Sequence, residues 1–340
     1  MTSCPTHPAV LSQLAYPFLS LQHPSPDSFD QATVEWVRHF GLVDEERIDR
    51  FERIGCGTAA RFGFHSASPQ LVQIAADTMA WLFLFEDAYV TGRHRFDEAT
   101  FLVASERYAT FLENHPRAQP FSPFSHALGE LFTRIKAVAS SDWCRRFIES
   151  FRVYAWGCAR EAQWRKTRTV PSFAQFLHLR RASGGYAPVA DLFECIFGAS
   201  LTGAERQSSE VEALRQLGAD IAACVDDLYS YEKESVFGDA LNMVRIVERT
   251  EGLNPDDACR FIGAFHNDSL AKLLLLESQL HAKNAPLGIR SLARAIREWS
   301  QGHHDWAVRC QRAESRLTME FDVFTTTAPL TDGGHPFTVP

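Results

Sequence analysis

From about residue 28 to residue 316, apolar positions recur every three or four residues, which places them along one face of an α-helix. In 29–41 the apolar face is Phe29, Val34, Val37 and Phe40. A second segment, 68–91, opens on Ser68-Pro69, a start signal because proline suits the first helical turn. It continues through Leu71, Ile74, Met79, Leu82 and Phe85. The same spacing predicts helices over 97–114, 124–139, 141–167, 172–183, 187–198, 208–235, 238–251, 255–282 and 288–316. Breakers separate them: Pro116, Pro120 and Pro123, Pro171, Gly184-Gly185, Gly198 to Gly203, Gly238, Asn254-Pro255, and Pro286 to Gly288. No run alternates with period two, and no internal repeat is visible. The pattern predicts an all-α, single-domain bundle of roughly ten to twelve helices. Residues 1–27 are expected to form a partly irregular N-terminal extension, 28–316 the helical domain, and 317–340 a loose C-terminal tail.

Two of these helices are punctuated unusually. In 68–91, Trp81-Leu82-Phe83-Leu84-Phe85 runs directly into Glu86-Asp87. In 208–235, Ile221-Ala222-Ala223-Cys224-Val225 runs into Asp226-Asp227. Carboxylates placed against an apolar run are costly unless something positive pairs with them, and a cavity holding divalent cations would do so. Asp226, Ser230 and Glu234 stand at i, i+4 and i+8, within about 80° of one another around the helix. That is a row of hard oxygen donors of the kind that binds Mg²⁺ together with substrate phosphates. Lys233 lies beside Glu234 and can direct a cation at the same ligand. The spacing alone is equally compatible with a solvated helix face. The aromatics before Glu86 are expected to be core packing at two of three positions. The remaining one is expected to line a pocket in which π-electrons face a cation.

Composition narrows the functional classes. The chain has 340 residues, 45% of them hydrophobic, and a net charge of −8. An acidic surface argues against a nucleic-acid partner but not against a phosphate ligand held locally by Arg, Lys and metal. Eight cysteines are scattered without a CxxC pair, which predicts buried, reduced thiols. There is no HExxH, and the adjacent His303 and His304 cannot share one helix face as paired ligands. The first 27 residues lack a basic start followed by an apolar run, and no segment approaches a membrane span, so a cytoplasmic protein is expected.

Ala80 to Asp87 resembles the aspartate-rich segment of microbial class I terpene synthases. Asp226-Asp227-Leu228-Tyr229-Ser230-Tyr231-Glu232-Lys233-Glu234 resembles their second metal motif. Leu179-Arg180-Arg181-Ala182-Ser183-Gly184 is similar to the broken helix that senses diphosphate, with Arg180 as sensor, Ser183 as linker and Gly184 as the moving residue. Gly302-His303-His304-Asp305-Trp306, leading to Arg312, resembles the terminal segment that closes over diphosphate. The four segments keep the family's order and separation. The resemblance implies three Mg²⁺ ions, held by Asp226, Ser230 and Glu234 on one side and by Glu86 and Asp87 on the other. It further implies diphosphate binding by Arg180, Lys233 and Arg312, and Phe83 and Trp306 as aromatic walls. The expected reaction is ionisation of an isoprenyl diphosphate, C15 farnesyl diphosphate by family default, followed by cyclisation of the allylic cation. The small-molecule diphosphate is the expected partner, and a homodimer is compatible with the resemblance.

The chain departs from the family pattern at four places. Glu86 stands where Asp is usual, and Val90-Thr91 occupy a region that usually carries a further acid. Ser183 replaces a frequent Asp, and Ala313 follows Arg312 in place of Tyr. A chain-elongating prenyl transferase and a non-catalytic isoprenoid-binding relative are the competing readings. The first would carry two DDxxD-type motifs, whereas the second motif here ends in Ser230 and Glu234.

Overall fold

The computed structural model describes residues 14–25, 28–88, 98–237 and 240–309, without the side chains of 233, 236 and 237. Among the described residues there are fourteen helices and no strand. In chain order they are α1 (Ser28–His39), α2 (Glu45–Glu52), α3 (Cys56–Gly63), α4 (Pro69–Glu86), α5 (Glu98–Glu113), α6 (Pro123–Lys136) and α7 (Ser141–Thr167). There follow α8 (Phe173–Ser183), α9 (Tyr186–Ile196), α10 (Gly203–Arg206), α11 (Ser209–Phe237), α12 (Met243–Glu251), α13 (Pro255–Ala282) and α14 (Leu287–Arg309).

This is an all-α bundle with more helices than the ten to twelve expected. The excess comes from the short helices α2, α3 and α10, whose boundaries the apolar spacing does not mark. The helix expected over 238–251 starts later, at Met243, because Asn242 is its cap: its backbone is extended and its side chain accepts the Val244 N–H at 2.9 Å. Other starts follow the same logic. Ser140, Ser172 and Asn254 cap α7, α8 and α13 through side-chain oxygens. The expected extensions of α4 past Ala88 and of α14 past Arg309 lie outside the described residues, as does the C-terminal tail.

The long helices α4, α7, α11, α13 and α14 carry the core, with α11 packed on both α13 and α14, α7 on α5 and α8, and α3 wedged against α4 and α14. Trp81 and Phe85 do not reach a cavity. They stack on each other with centroids 4.7 Å apart, and both rings also meet Tyr108, Phe124 and Phe151. This cluster locks α4 onto α5, α6 and α7, with the Trp81 indole N–H donating to the Phe124 carbonyl at 3.0 Å. On the far side Gly302 lets α14 touch α3. A Cβ there would lie 2.4 Å from the Phe62 carbonyl carbon, so only glycine fits. That contact fixes the rotation of α14 and turns His303 and Trp306 toward the interior. Six described cysteines are free thiols, five buried and Cys195 half-buried. Among the described residues no helix is long and apolar enough to cross a membrane.

Candidate active site

The C-terminal end of α4, the break between α8 and α9, the middle of α11 and the last turns of α14 enclose one cavity. Its lining includes Phe83 and Glu86 from α4, Tyr154 from α7, Gly184 and Gly185 from the break, Asp226 from α11, and His303 and Trp306 from α14. Its empty space is about 630 Å³, open mouth included. The wall is aromatic. Phe83 and Trp306 stack with centroids 6.0 Å apart and an interplanar angle of 11°. Trp299 and His303 stack at 4.8 Å and 7°. Burial pushes the Tyr154 and Tyr186 hydroxyls well above the usual phenol range, so both line the cavity as neutral rings.

Adjacent acids on α11 do different work, because successive helical residues diverge by about 100°. Asp226 is 31% exposed and faces the cavity, where His303 Nε2 lies 3.2 Å from its Oδ1. Asp227 is 2% exposed and faces α8 and α12. Arg180 approaches Asp227 Oδ1 through Nη2 at 2.9 Å and Nε at 3.1 Å, and the Met243 N–H donates to Oδ2 at 2.8 Å. Burial pushes the Asp227 carboxyl up, while Arg180 and the Met243 N–H pull it down. Arg180 is itself held well above the usual arginine range: burial lowers it, and Asp227, Glu161, Asp226 and Glu86 more than compensate. The donors on both Asp227 oxygens favour the charged pair.

The rest of the α11 row is organised by Asn242, a residue that the motif spacing does not mark. Its side-chain N–H₂ donates to Glu234 Oε2 at 3.0 Å, to the Asp227 carbonyl at 2.8 Å, and approaches Ser230 Oγ at 3.4 Å. The Ser230 and Glu234 oxygens are thereby gathered around one neutral amide donor. Among the described residues no three His, Cys, Asp or Glu side chains converge as a closed metal cluster. The α11 row instead offers two carboxylates and a hydroxyl, all hard oxygen donors. That fits a divalent cation completed by phosphate oxygens and water. Glu86 lines the opposite wall, and Asp87 follows it at the helix cap. Arg312 and Ala313 lie outside the described residues, as does the side chain of Lys233.

The break is tightly specified. Gly184 caps α8, its N–H donating to the Arg180 carbonyl at 2.9 Å, and Gly185 enters α9 with φ +70°, a conformation that favours glycine. Ser183 is turned away from Arg180: its hydroxyl donates to Glu161 on α7. Nothing in the local sequence of α7 announces Glu161, since Glu161 and Arg165 read as an ordinary surface pair at i, i+4.

An all-α bundle with an acidic, oxygen-rich rim over an aromatic cavity is the architecture of the class I terpene synthases. The family description "Terpene synthase family 2, C-terminal metal binding" matches residues 77–272. The (+)-T-muurolol synthase of Roseiflexus castenholzii, a farnesyl diphosphate cyclase, is 27% identical over 304 residues, covering 88% of this chain and 93% of that one. Pentalenene synthase of Streptomyces exfoliatus is 28% identical over 320 residues, covering 90% and 92%. The crystal structure of linalool/nerolidol synthase from Streptomyces clavuligerus superposes with a TM-score of 0.75 at 24% identity, over 86% of this chain and 99% of that one, and shares the fold. The chain belongs to the terpene synthase family and is a class I terpene synthase that uses divalent metal.

Proposed function

We propose that this enzyme ionises farnesyl diphosphate with Mg²⁺ and cyclises the resulting cation to a sesquiterpene. The observation that carries the reading is the juxtaposition of Asp226, at the head of the α11 oxygen row, and Glu86 on the wall of a cavity also lined by Phe83, Trp306 and Tyr154, with Arg180 held on the adjacent Asp227. Three Mg²⁺ ions, bound by Asp226, Ser230 and Glu234 and by Glu86 with Asp87, would supply the positive charge that the leaving diphosphate requires. Arg180, Lys233 and Arg312 add hydrogen bonds to the diphosphate oxygens, with the arginines presenting planar forks. Asp227 pre-orients Arg180 for that task, so little side-chain freedom is lost on binding. Negative charge grows on the diphosphate as the C–O bond breaks, and fixed donors aimed there lower the barrier. The cation left behind meets ring faces rather than water, which protects it until cyclisation is complete. The lengths named for the relatives support a C15 chain.

The test is incubation with the C10, C15 and C20 diphosphates and Mg²⁺, measuring released diphosphate and the mass of volatile products. Turnover of the C15 substrate to cyclic products, abolished by a chelator, is expected. No diphosphate release with any of the three, or elongated chains when isopentenyl diphosphate is added, would overturn the reading.

A further inference from the structure

Position 183 sits between the arginine and the glycine of the break and carries a hydroxyl. A hydroxyl cannot form an ion pair with Arg180. Its observed partner is Glu161: Ser183 Oγ donates to Glu161 Oε1. The other oxygen, Oε2, lies 3.1 Å from Arg165 Nη2, one turn further along α7. Glu161 is 3% exposed and Ser183 2%. A carboxylate this buried needs partners on its oxygens, and removing one leaves an uncompensated group. The pair with Arg165 lies within α7 and would serve a purely structural role. The other oxygen is committed across helices to the break.

The rest of that face of α7 grips the same residue. Gly157, Cys158 and Glu161 stand at i, i+1 and i+4 and all meet the end of α8. A Cβ on Gly157 would lie 2.5 Å from the Ser183 nitrogen, so the two backbones are in contact. The Cys158 thiol points at the Ser183 carbonyl from 3.8 Å. Ser183 is therefore packed against α7 at its backbone and bonded at its carbonyl and its hydroxyl, and Gly184 follows it into the cavity wall. Glu161 also acts on the other end of the break. After the opposing effect of burial, Asp227 and then Glu161 are the main groups holding Arg180 charged.

We propose that Glu161 is a positioning residue for ionisation: from α7 it supplies the carboxylate that position 183 lacks, and through Ser183 it couples Arg180 to the Gly184 peptide. This rests on reading Arg180, Ser183 and Gly184 as the diphosphate-responsive break.

The test compares Glu161→Gln, Ser183→Ala, the double variant of these, Glu161→Gln with Ser183→Asp, and Arg180→Lys. For each, kcat and KM are measured with farnesyl diphosphate and Mg²⁺, together with Tm. Glu161→Gln keeps size and an acceptor oxygen and loses the charge. It is expected to lower kcat about tenfold or more while KM stays within about threefold, the split expected when an interaction matters in the transition state rather than in binding. Ser183→Ala removes the same contact by a milder change and is expected to do the same. The double variant should be no worse than the worse single one, because both cut one coupling. Moving the carboxylate to position 183 in the Glu161→Gln background should recover most of the lost kcat. The proposal is overturned if Glu161→Gln keeps kcat within about twofold of the parent, or if the two single losses multiply in the double variant. A lower Tm with unchanged kcat per folded molecule also overturns it. If Arg180→Lys is impaired and Glu161→Gln is not, the proposal fails and the break reading stands. If Arg180→Lys turns over normally, both fall.

Discussion

Acidification should weaken this fold through one identifiable histidine. His266 on α13 is fully buried and joins the N-terminal strap to the bundle: its Nε2 lies 2.8 Å from the Tyr16 hydroxyl and its Nδ1 3.0 Å from Asn267 Oδ1. Asn267 Oδ1 also accepts the Ala15 N–H at 2.8 Å. Burial brings the His266 imidazole down to about 4, against its ordinary 6.5, with His304 and His303 nearby adding repulsion. The folded value is the depressed one, so the neutral ring is favoured in the native state. Its contribution is complete above about pH 6.5 and is lost as pH falls toward 4, because the unfolded chain takes up a proton that the native chain refuses. A gap of about 2.5 pH units at 1.36 kcal/mol per unit gives a loss of about 3 kcal/mol. That is a large part of a total stability on the order of 5–15 kcal/mol. Urea denaturation of the parent and of His266→Gln from pH 7 to pH 4.5 isolates the effect, since other groups titrate alike in both. The parent should lose stability relative to the variant by about 1.4 kcal/mol per unit below pH 6.5. Parallel curves across that window would refute the assignment.

Asp226→Ala and Glu234→Ala should each lower diphosphate release by about a hundredfold or more, as loss of a charge-stabilising group does, with the helical circular dichroism unchanged; normal turnover in either would remove the α11 row from metal binding. Glu86→Gln should be far more damaging than Asp87→Asn, and Glu86→Asp should bring no gain, because Mg²⁺ tolerates little displacement of its ligands; Mg²⁺ titrations of initial rate decide this, and a dead Asp87→Asn beside an intact Glu86→Gln would reverse the two assignments. Phe83→Leu should change the product mixture more than the melting temperature, whereas Trp306→Leu should do both. Trp306 also donates to the Ile54 carbonyl at 2.8 Å, and stranding that acceptor costs about 1–3 kcal/mol; an unchanged product profile in both variants would return the two rings to ordinary packing.

Helices were legible because their causes are local. The apolar spacing of α7, α11 and α13, and the caps Ser140, Ser172 and Asn254, lie within a few residues of the turns they govern. The oxygen row Asp226, Ser230, Glu234 was legible for the same reason, since one helix carries all three. Relations between helices were not. Whether Asp226 or Asp227 would face the cavity depended on how α11 is rotated against α8, α12 and α14. The rotation that offers Asp226 to His303 is the one that buries Asp227 against Arg180. Of three aromatics before Glu86, only Phe83 lines the cavity, because Trp81 and Phe85 are claimed by side chains from α5, α6 and α7. Asn242 and Glu161 carried no motif at all. Each acquires its role from a side chain presented by another helix, Asn242 from Glu234 eight residues back and Glu161 from Ser183 twenty-two residues ahead. The sequence by itself determined the long helical segments and which helix carries the row of oxygens proposed to bind metal, because those properties repeat along one chain segment. Only the packed bundle decided which of those oxygens, rings and charges meet, because burial and pairing are set by neighbours that the chain brings together from far apart.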